Sequence, residues 1–245
     1  MFVAILGRLP KLSIAELEAI FGKSHVRAVS HSAAVVNTDG LSIDSLGGSL
    51  KCGKVIHTLP ADNRPTLEQA SHWITHTYVN QLLAVGGKIT LGISAYGLST
   101  SPRQLQKIGL LLKTSMKKHG VSLRLIPNTT TELSTATSHN NKLGLSPKKC
   151  ELFIIKTDDG AILIAESNGA QNITAYARRD RNRPRRDAFV GMLPPKLAQI
   201  MVNLAAGNTT RATILDPFCG TGTVLQEALQ LQRSEERRVG KECRS

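Results

Sequence analysis

One stretch near the carboxyl end constrains this chain more than any other. TILDPFCGTGTVLQEAL, residues 213–229, runs from an apolar strand to an acidic residue, a glycine-rich turn and an amphipathic helix. Gly220 and Gly222 carry no side chain, so the backbone there can turn tightly and approach a ligand closely. Amides at a helix start face a negative group well. Asp216, at the end of the strand, suits a cation or a hydrogen-bond donor. Together they fit a zwitterion, such as the methionine end of S-adenosylmethionine. Such a unit implies an open α/β sheet with its ligand at the carboxyl ends of the strands.

Other glycine turns fit less well. No Gly-Lys-Ser/Thr follows, which excludes a Walker A loop, and the third glycine of the dinucleotide pattern is missing. An ordinary strand-to-helix turn needs only the two glycines. It leaves Asp216-Pro217 and the flanking Thr221 and Thr223 without a reason.

The residues before this unit are basic. Thirty-one Lys and Arg against eighteen Asp and Glu give a formal charge of +13, which favours a polyanionic partner. The densest run is AYARRDRNRPRRD, residues 175–187, with Arg178, Arg179, Arg181, Arg183, Arg185 and Arg186. It reads either as a phosphate-binding segment, since an arginine fork bonds two oxygens at once, or as a solvated linker. A helix predicted over 102–119 adds Arg103, Lys107, Lys113 and Lys117, some of which must be its wet side. Ser134, Thr135 and Ser138 can donate to phosphates or cap a helix. Aromatics make up 4% of the chain, too few for a broad base-stacking platform.

Periodicity divides the rest. Residues 2–6 read as a strand. Residues 13–21 read as a helix with Ser13 and Glu16 in capping-box spacing, followed by strand-rich runs that end at Asp39-Gly40. A second unit has a helix capped by Thr66 and Gln69, a strand over 88–96, the helix 102–119, a strand over 121–126, a polar loop with a short helix, and a hairpin about Asp158-Asp159-Gly160. A helix from Pro194-Pro195 follows, its apolar face expected at Leu197, Ile200, Met201 and Leu204.

DPFCGTGT resembles the first S-adenosylmethionine motif of nucleic-acid amino-methyltransferases. The preceding RPRRDAFVGMLPPKLAQIMVNLA resembles the segment that leads into that motif in THUMP-containing RNA methyltransferases, the tRNA guanine-N2 methyltransferases and their ribosomal RNA relatives. The element order of residues 66–170 resembles a THUMP domain. The resemblance implies an α+β amino-terminal region, ferredoxin-like over 1–60 and THUMP over 61–170. A basic linker over 171–190 would lead into the start of an α/β Rossmann-like methyltransferase domain over 191–233. It implies S-adenosyl-L-methionine as cofactor, shaped by Asp216, Gly220 and Gly222. Pro217, Phe218, Cys219, Thr221 and Thr223 would stand around it, and Pro194 and Lys196 would lie in the segment that packs over it. Lys196 reads equally as a solvated helix-start residue. Cys219 is read as packing rather than nucleophilic, with no base near it in sequence. RNA is the implied partner, above all tRNA, read by shape. A ribosomal RNA enzyme and a non-catalytic RNA-binding module are the other readings.

The family pattern stops after Leu231. The second apolar strand with its terminal acid and the Asn/Asp-Pro-Pro-aromatic motif are not among the 245 residues, so the catalytic residues are not assigned. The chain is therefore expected to be inactive alone. Residues 234–245, SEERRVGKECRS, read as a solvated tail of foreign origin that cannot form a buried strand. Cys52, Cys150, Cys219 and Cys243 form no CxxC, which implies no metal knuckle and fits a reducing cytoplasm. No run is long enough for a membrane span.

Overall fold

The computed structural model describes residues 1–182, 192–209 and 212–231, together with the backbone of 234–236. Chain order in the first unit is β1 (Phe2–Leu6), α1 (Pro10–Phe21), β2 (Val26–Ser30), β3 (Ala33–Val36) and β4 (Ser49–Leu59). The second unit follows as α2 (Leu67–Trp73), a π-helical turn (Ile74–Tyr78), α3 (Val79–Val85), β5 (Lys88–Tyr96), α4 (Pro102–Lys118), β6 (Ser122–Leu125), α5 (Thr135–Asn140), β7 (Lys149–Lys156) and β8 (Ile162–Ala170). The last elements are α6 (Ile173–Arg181), α7 (Pro195–Ala206), β9 (Thr213–Leu215), α8 (Thr223–Gln230) and β10 (Ser234–Glu236).

The two units expected from the sequence share one eight-stranded sheet, in the order β2-β3-β1-β4-β8-β7-β5-β6. The long β4 joins them, antiparallel to β1 on one side and to β8 on the other. Within this sheet the parallel pairs are those of β5, with β6 and β7. Opposed residues share a face. Phe2 lies opposite Lys54, and Lys54 opposite Glu166, so α1 and the α2–α4 layer cover the same face. Leu17 of α1 packs with Ala4, Leu6, Val36 and Leu46. Leu105 and Leu112 of α4 pack with Ile89, Leu91, Leu152 and Ile164. The alternate residues Val3, Ile5, Val35, Phe153, Ile155, Leu163 and Ala165 cluster on the other face, where both halves of the sheet meet.

Helix starts show where local chemistry decides. Thr66 accepts from the Gln69 amide and the Gln69 side chain accepts from the Thr66 amide, the reciprocal cap expected. Such caps contribute about 1 kcal/mol. The Ser13 and Glu16 spacing misled. Helix α1 opens three residues earlier, at Pro10 with Leu9 as its N-cap, because proline fits the first helical position. Ser13 and Glu16 are then buried inside it and bond elsewhere. Residues 171–182 are not a bare linker either: Asn172 caps α6 by accepting from the Ala175 amide.

Helix α7 packs against α1 and α8. Its buried side is Ala198, Gln199, Val202, Asn203 and Ala206 with Ile200, while Met201 and Leu204 are exposed. Of the expected face Ile200 is buried but Met201 and Leu204 are not, because Gln199 and Asn203 are drawn inward by hydrogen bonds to the first unit. Ser234–Glu236 pairs in parallel with β9, so a short strand forms within the stretch read as a solvated tail. The rest of the tail, 237–245, lies outside the described residues.

Candidate cofactor turn and nucleic-acid interface

Strand β9 delivers Asp216 at its carboxyl end. One carboxylate oxygen accepts from the Phe218 amide at 3.0 Å, closing a small turn, and the other oxygen remains for a second donor. The Gly222 amide donates to the Cys219 carbonyl at 2.6 Å, closing the next turn. Gly220 has φ 48° and Gly222 φ 77°, left-handed values that cost a residue with a Cβ about 1–2 kcal/mol. Gly222 is the N-cap of α8, and a Cβ there would meet nothing within 4 Å. The backbone therefore presents an open surface at the start of a helix, where the dipole favours an anion. Cys219 is buried and packs inward. Phe218 is 91% exposed, an aromatic ring with no cover from the described residues. The Thr221 and Thr223 hydroxyls lie 3.5 Å apart beside the turn. Pro217 is exposed.

This turn is held against the first unit by a buried polar seam. The Glu16 carboxylate accepts from the Gly47 amide at 2.9 Å, the Gly48 amide at 2.8 Å and the Asn203 side chain of α7 at 2.7 Å. Burial pushes the Glu16 carboxyl above its ordinary range, against the pull of those three donors. Gln199 of α7 donates to the Asp44 carbonyl and accepts from the Tyr176 hydroxyl of α6. Gly47 is required here, since a Cβ would stand 2.5 Å from the Lys196 carbonyl oxygen. Arg179 of α6 donates to Glu227 of α8 at 2.7 Å and lies 4.4 Å from the Tyr176 ring. Glu227 lies about one and a half turns from Gly222, so the seam reaches the helix that opens at the glycine turn.

The expected site residues therefore separate. Arg179 serves this internal contact and is only 23% exposed in its side chain. Arg178 and Arg181 are exposed on the same helix. Arg183, Arg185 and Arg186 lie outside the described residues. Arg103, Lys107, Lys113 and Lys117 are all exposed along α4. Pro194 is exposed as the N-cap of α7. The Lys196 ammonium sits 5.4 Å from the Tyr176 ring, and burial pulls its pKa down. Ser134 caps α5 by accepting from the Thr137 amide, and Ser138 is buried. Thr135 opens α5 and is half-buried.

Sequence reasoning missed a buried ion pair beneath the Ser/Thr loop. The Lys51 ammonium donates to Glu151 at 2.6 Å and to the Leu133 carbonyl at 2.7 Å. Ser94 and Ser138 each donate to Glu151 at 2.6 Å. Lys51 lines a cleft of about 330 Å³ with Tyr96 and Thr131. The pair is 100 residues apart in sequence, so no local pattern announces it. Among the described residues no group of three or more His, Cys, Asp or Glu could hold a metal ion, and no helix is long and apolar enough to cross a membrane.

Residues 182–243 match the family described as UPF0020: RMKL-like, methyltransferase domain. No curated protein matches the chain. The crystal structure of TrmN from Thermus thermophilus is similar with a TM-score of 0.50 and 16% identity, covering 96% of this chain and 64% of that one. The chain thus spans about two thirds of that structure's length, and the likeness is one of fold. A 4-thiouridine synthetase–RNA complex with bound ATP aligns at a TM-score of 0.43 and 11% identity, covering 96% of this chain and 51% of that one.

Proposed function

We propose that this chain is the RNA-binding front part and first cofactor-binding edge of an S-adenosylmethionine-dependent RNA methyltransferase. The whole enzyme acts in the cytoplasm on the N2 amine of guanosine in tRNA. One coincidence carries the reading: the segment that matches a methyltransferase family contains the strand, Asp216, glycine turn and α8. The fold likeness to TrmN over nearly the whole chain and the +13 charge support it.

The turn fits the methionine end of the cofactor. Gly220 and Gly222 leave the backbone open, the start of α8 favours a carboxylate, and the spare oxygen of Asp216 suits an ammonium group. S-adenosylmethionine, when bound, supplies an electrophilic methyl group. Phe218, with Pro217, Cys219, Thr221 and Thr223, walls the same end, and Pro194 and Lys196 belong to the α7 start beside it. Arg178 and Arg181, with Arg183, Arg185 and Arg186 in the same run, supply phosphate contacts. Arg103, Lys107, Lys113 and Lys117 add more from α4. Within this reading residues 1–60 are the ferredoxin-like part, 61–170 the THUMP part and 191–233 the opening of the catalytic sheet.

Equilibrium dialysis with tritiated S-adenosylmethionine tests the turn, and Asp216→Ala should weaken binding about tenfold or more, as loss of a charged hydrogen bond does. Filter binding of bulk tRNA tests the basic surface, with affinity falling steeply as salt rises. Nucleoside analysis of tRNA from cells lacking the gene tests the product, which should lose N2-methylguanosine. Absence of both cofactor and RNA binding would overturn the reading, and an unchanged nucleoside profile would overturn the guanosine assignment.

A further inference from the structure

Helix α8 is eight residues long, Thr223–Gln230, and opens at Gly222. A helix of about two turns is marginal on its own, so its contacts decide where it points. Two of them differ in kind. Ala228 packs with Val202 and Ala206 of α7 and with Ile214 of β9. Apolar burial is non-directional, so it holds α8 against α7 without fixing its rotation or its slide. Glu227, one residue earlier, supplies direction. Its carboxylate accepts from the Arg179 Nε at 2.7 Å, and its side chain is 1% exposed.

Arg179 is itself held in place. Its guanidinium lies 4.4 Å from the Tyr176 ring. The Tyr176 hydroxyl donates to Gln199 of α7, which donates to the Asp44 carbonyl of the first unit at 2.9 Å. The Asn172 cap anchors α6 where it leaves β8. A continuous polar chain therefore runs from the first unit through α7 and α6 and ends on α8. Arg178, the adjoining residue, is exposed instead. Two neighbouring arginines of one basic run thus face different surroundings.

We propose that Arg179 is a positioning residue for the glycine turn. Through Glu227 it sets the rotation of α8 at which the amides at the helix start face the carboxylate of the cofactor. Despite its place in the arginine run, it acts on cofactor binding and not on RNA binding. This role rests on the reading of residues 216–223 as the cofactor turn.

Equilibrium dialysis with tritiated S-adenosylmethionine is run on the unaltered chain, Arg179→Gln, Glu227→Gln and the double variant. Arg179→Gln should weaken cofactor binding by about 2- to 30-fold, the range for residues that act on a site through others. Arg179→Lys keeps the charge and should recover part of the loss. Glu227→Gln should weaken binding less, since its amide oxygen still accepts from Arg179. The double variant should bind about as well as Arg179→Gln alone, because both changes act on one interaction. Urea unfolding followed by the emission of Trp73, the sole tryptophan, sets conditions in which each variant is folded. If Arg179→Gln does not fold, Glu227→Gln carries the test by itself. Filter binding of bulk tRNA at about 50 mM salt separates the two arginines, with Arg178→Gln weakening RNA binding and Arg179→Gln leaving it unchanged. Cofactor affinity unchanged in the folded variants, fully additive losses, or an Arg179→Gln variant that loses tRNA but not cofactor overturns the positioning role and leaves the cofactor turn standing. No binding of S-adenosylmethionine by the unaltered chain overturns the reading of the turn and this role with it.

Discussion

Two buried carboxylates hold two regions of the molecule together by different means. Glu151, inside the eight-stranded sheet, is fully buried and meets the Lys51 ammonium and two serine hydroxyls. Glu16, at the seam between the first unit and α7, is also fully buried but meets two backbone amides and the Asn203 amide, with no cation among the described residues. A paired charge in the interior resists loss of either partner. A carboxylate met only by neutral donors carries an uncompensated burial cost and becomes sensitive to pH. The sheet is accordingly a self-consistent body, while the glycine turn is attached to it by contacts that can be weakened separately.

Lys51→Met should break this contrast most severely on the sheet side. It strands a buried carboxylate and should lower stability by about 3–5 kcal/mol in urea unfolding. A loss under about 1 kcal/mol would contradict the ion pair as what holds the sheet side together. Gly47→Ala acts on the seam instead. Its Cβ would meet the Lys196 carbonyl oxygen at 2.5 Å, a backbone atom, so α7 must shift, at about 1–3 kcal/mol. Hydrogen exchange should rise in α7 and α8 and stay unchanged in β5 and β7. Uniform loss across the sheet would erase the distinction between the regions.

Glu16→Gln sharpens the electrostatic half of the comparison. It keeps the shape but turns an amide towards Gly47 or Gly48, which should cost about 1–2 kcal/mol at neutral pH. Glu16 has a folded pKa raised above the ordinary 4.5, so the folded state binds the proton more tightly than the unfolded chain. Its contribution is fully present below 4.5 and lost as pH rises through the raised value. Wild type should therefore gain on Glu16→Gln as pH falls from neutrality towards 4.5, and a flat difference would remove the raised carboxyl from the account. The smallest effect is on thiols. Burial pushes Cys52 and Cys150 up to about 12, so neither should react with Ellman's reagent at about pH 8 until the chain unfolds.

Local chemistry was readable in the sequence and long-range chemistry was not. The Thr66–Gln69 cap and the hairpin at Asp158-Asp159-Gly160 each depend on neighbours within a few residues, and each stands where the pattern put it. The turn at Asp216–Gly222 was legible for the same reason. Glu16 matched a capping spacing by coincidence, because its real partners lie 31, 32 and 187 residues away. The buried side of α7 was misread because Gln199 and Asn203 look like surface residues until their acceptors and donors on another unit are known. The joining of both units into one sheet depends on β4 pairing on both edges, which alternation along a single strand does not reveal.

The most direct measurement is the amide spectrum of isotope-labelled protein titrated with S-adenosylmethionine. The largest shifts are expected at Phe218–Thr223, smaller ones at Asp216, and near-silence at Trp73 and along α4. Shifts absent from 216–223 at saturating cofactor, or centred on the sheet body, would contradict the assignment of that turn.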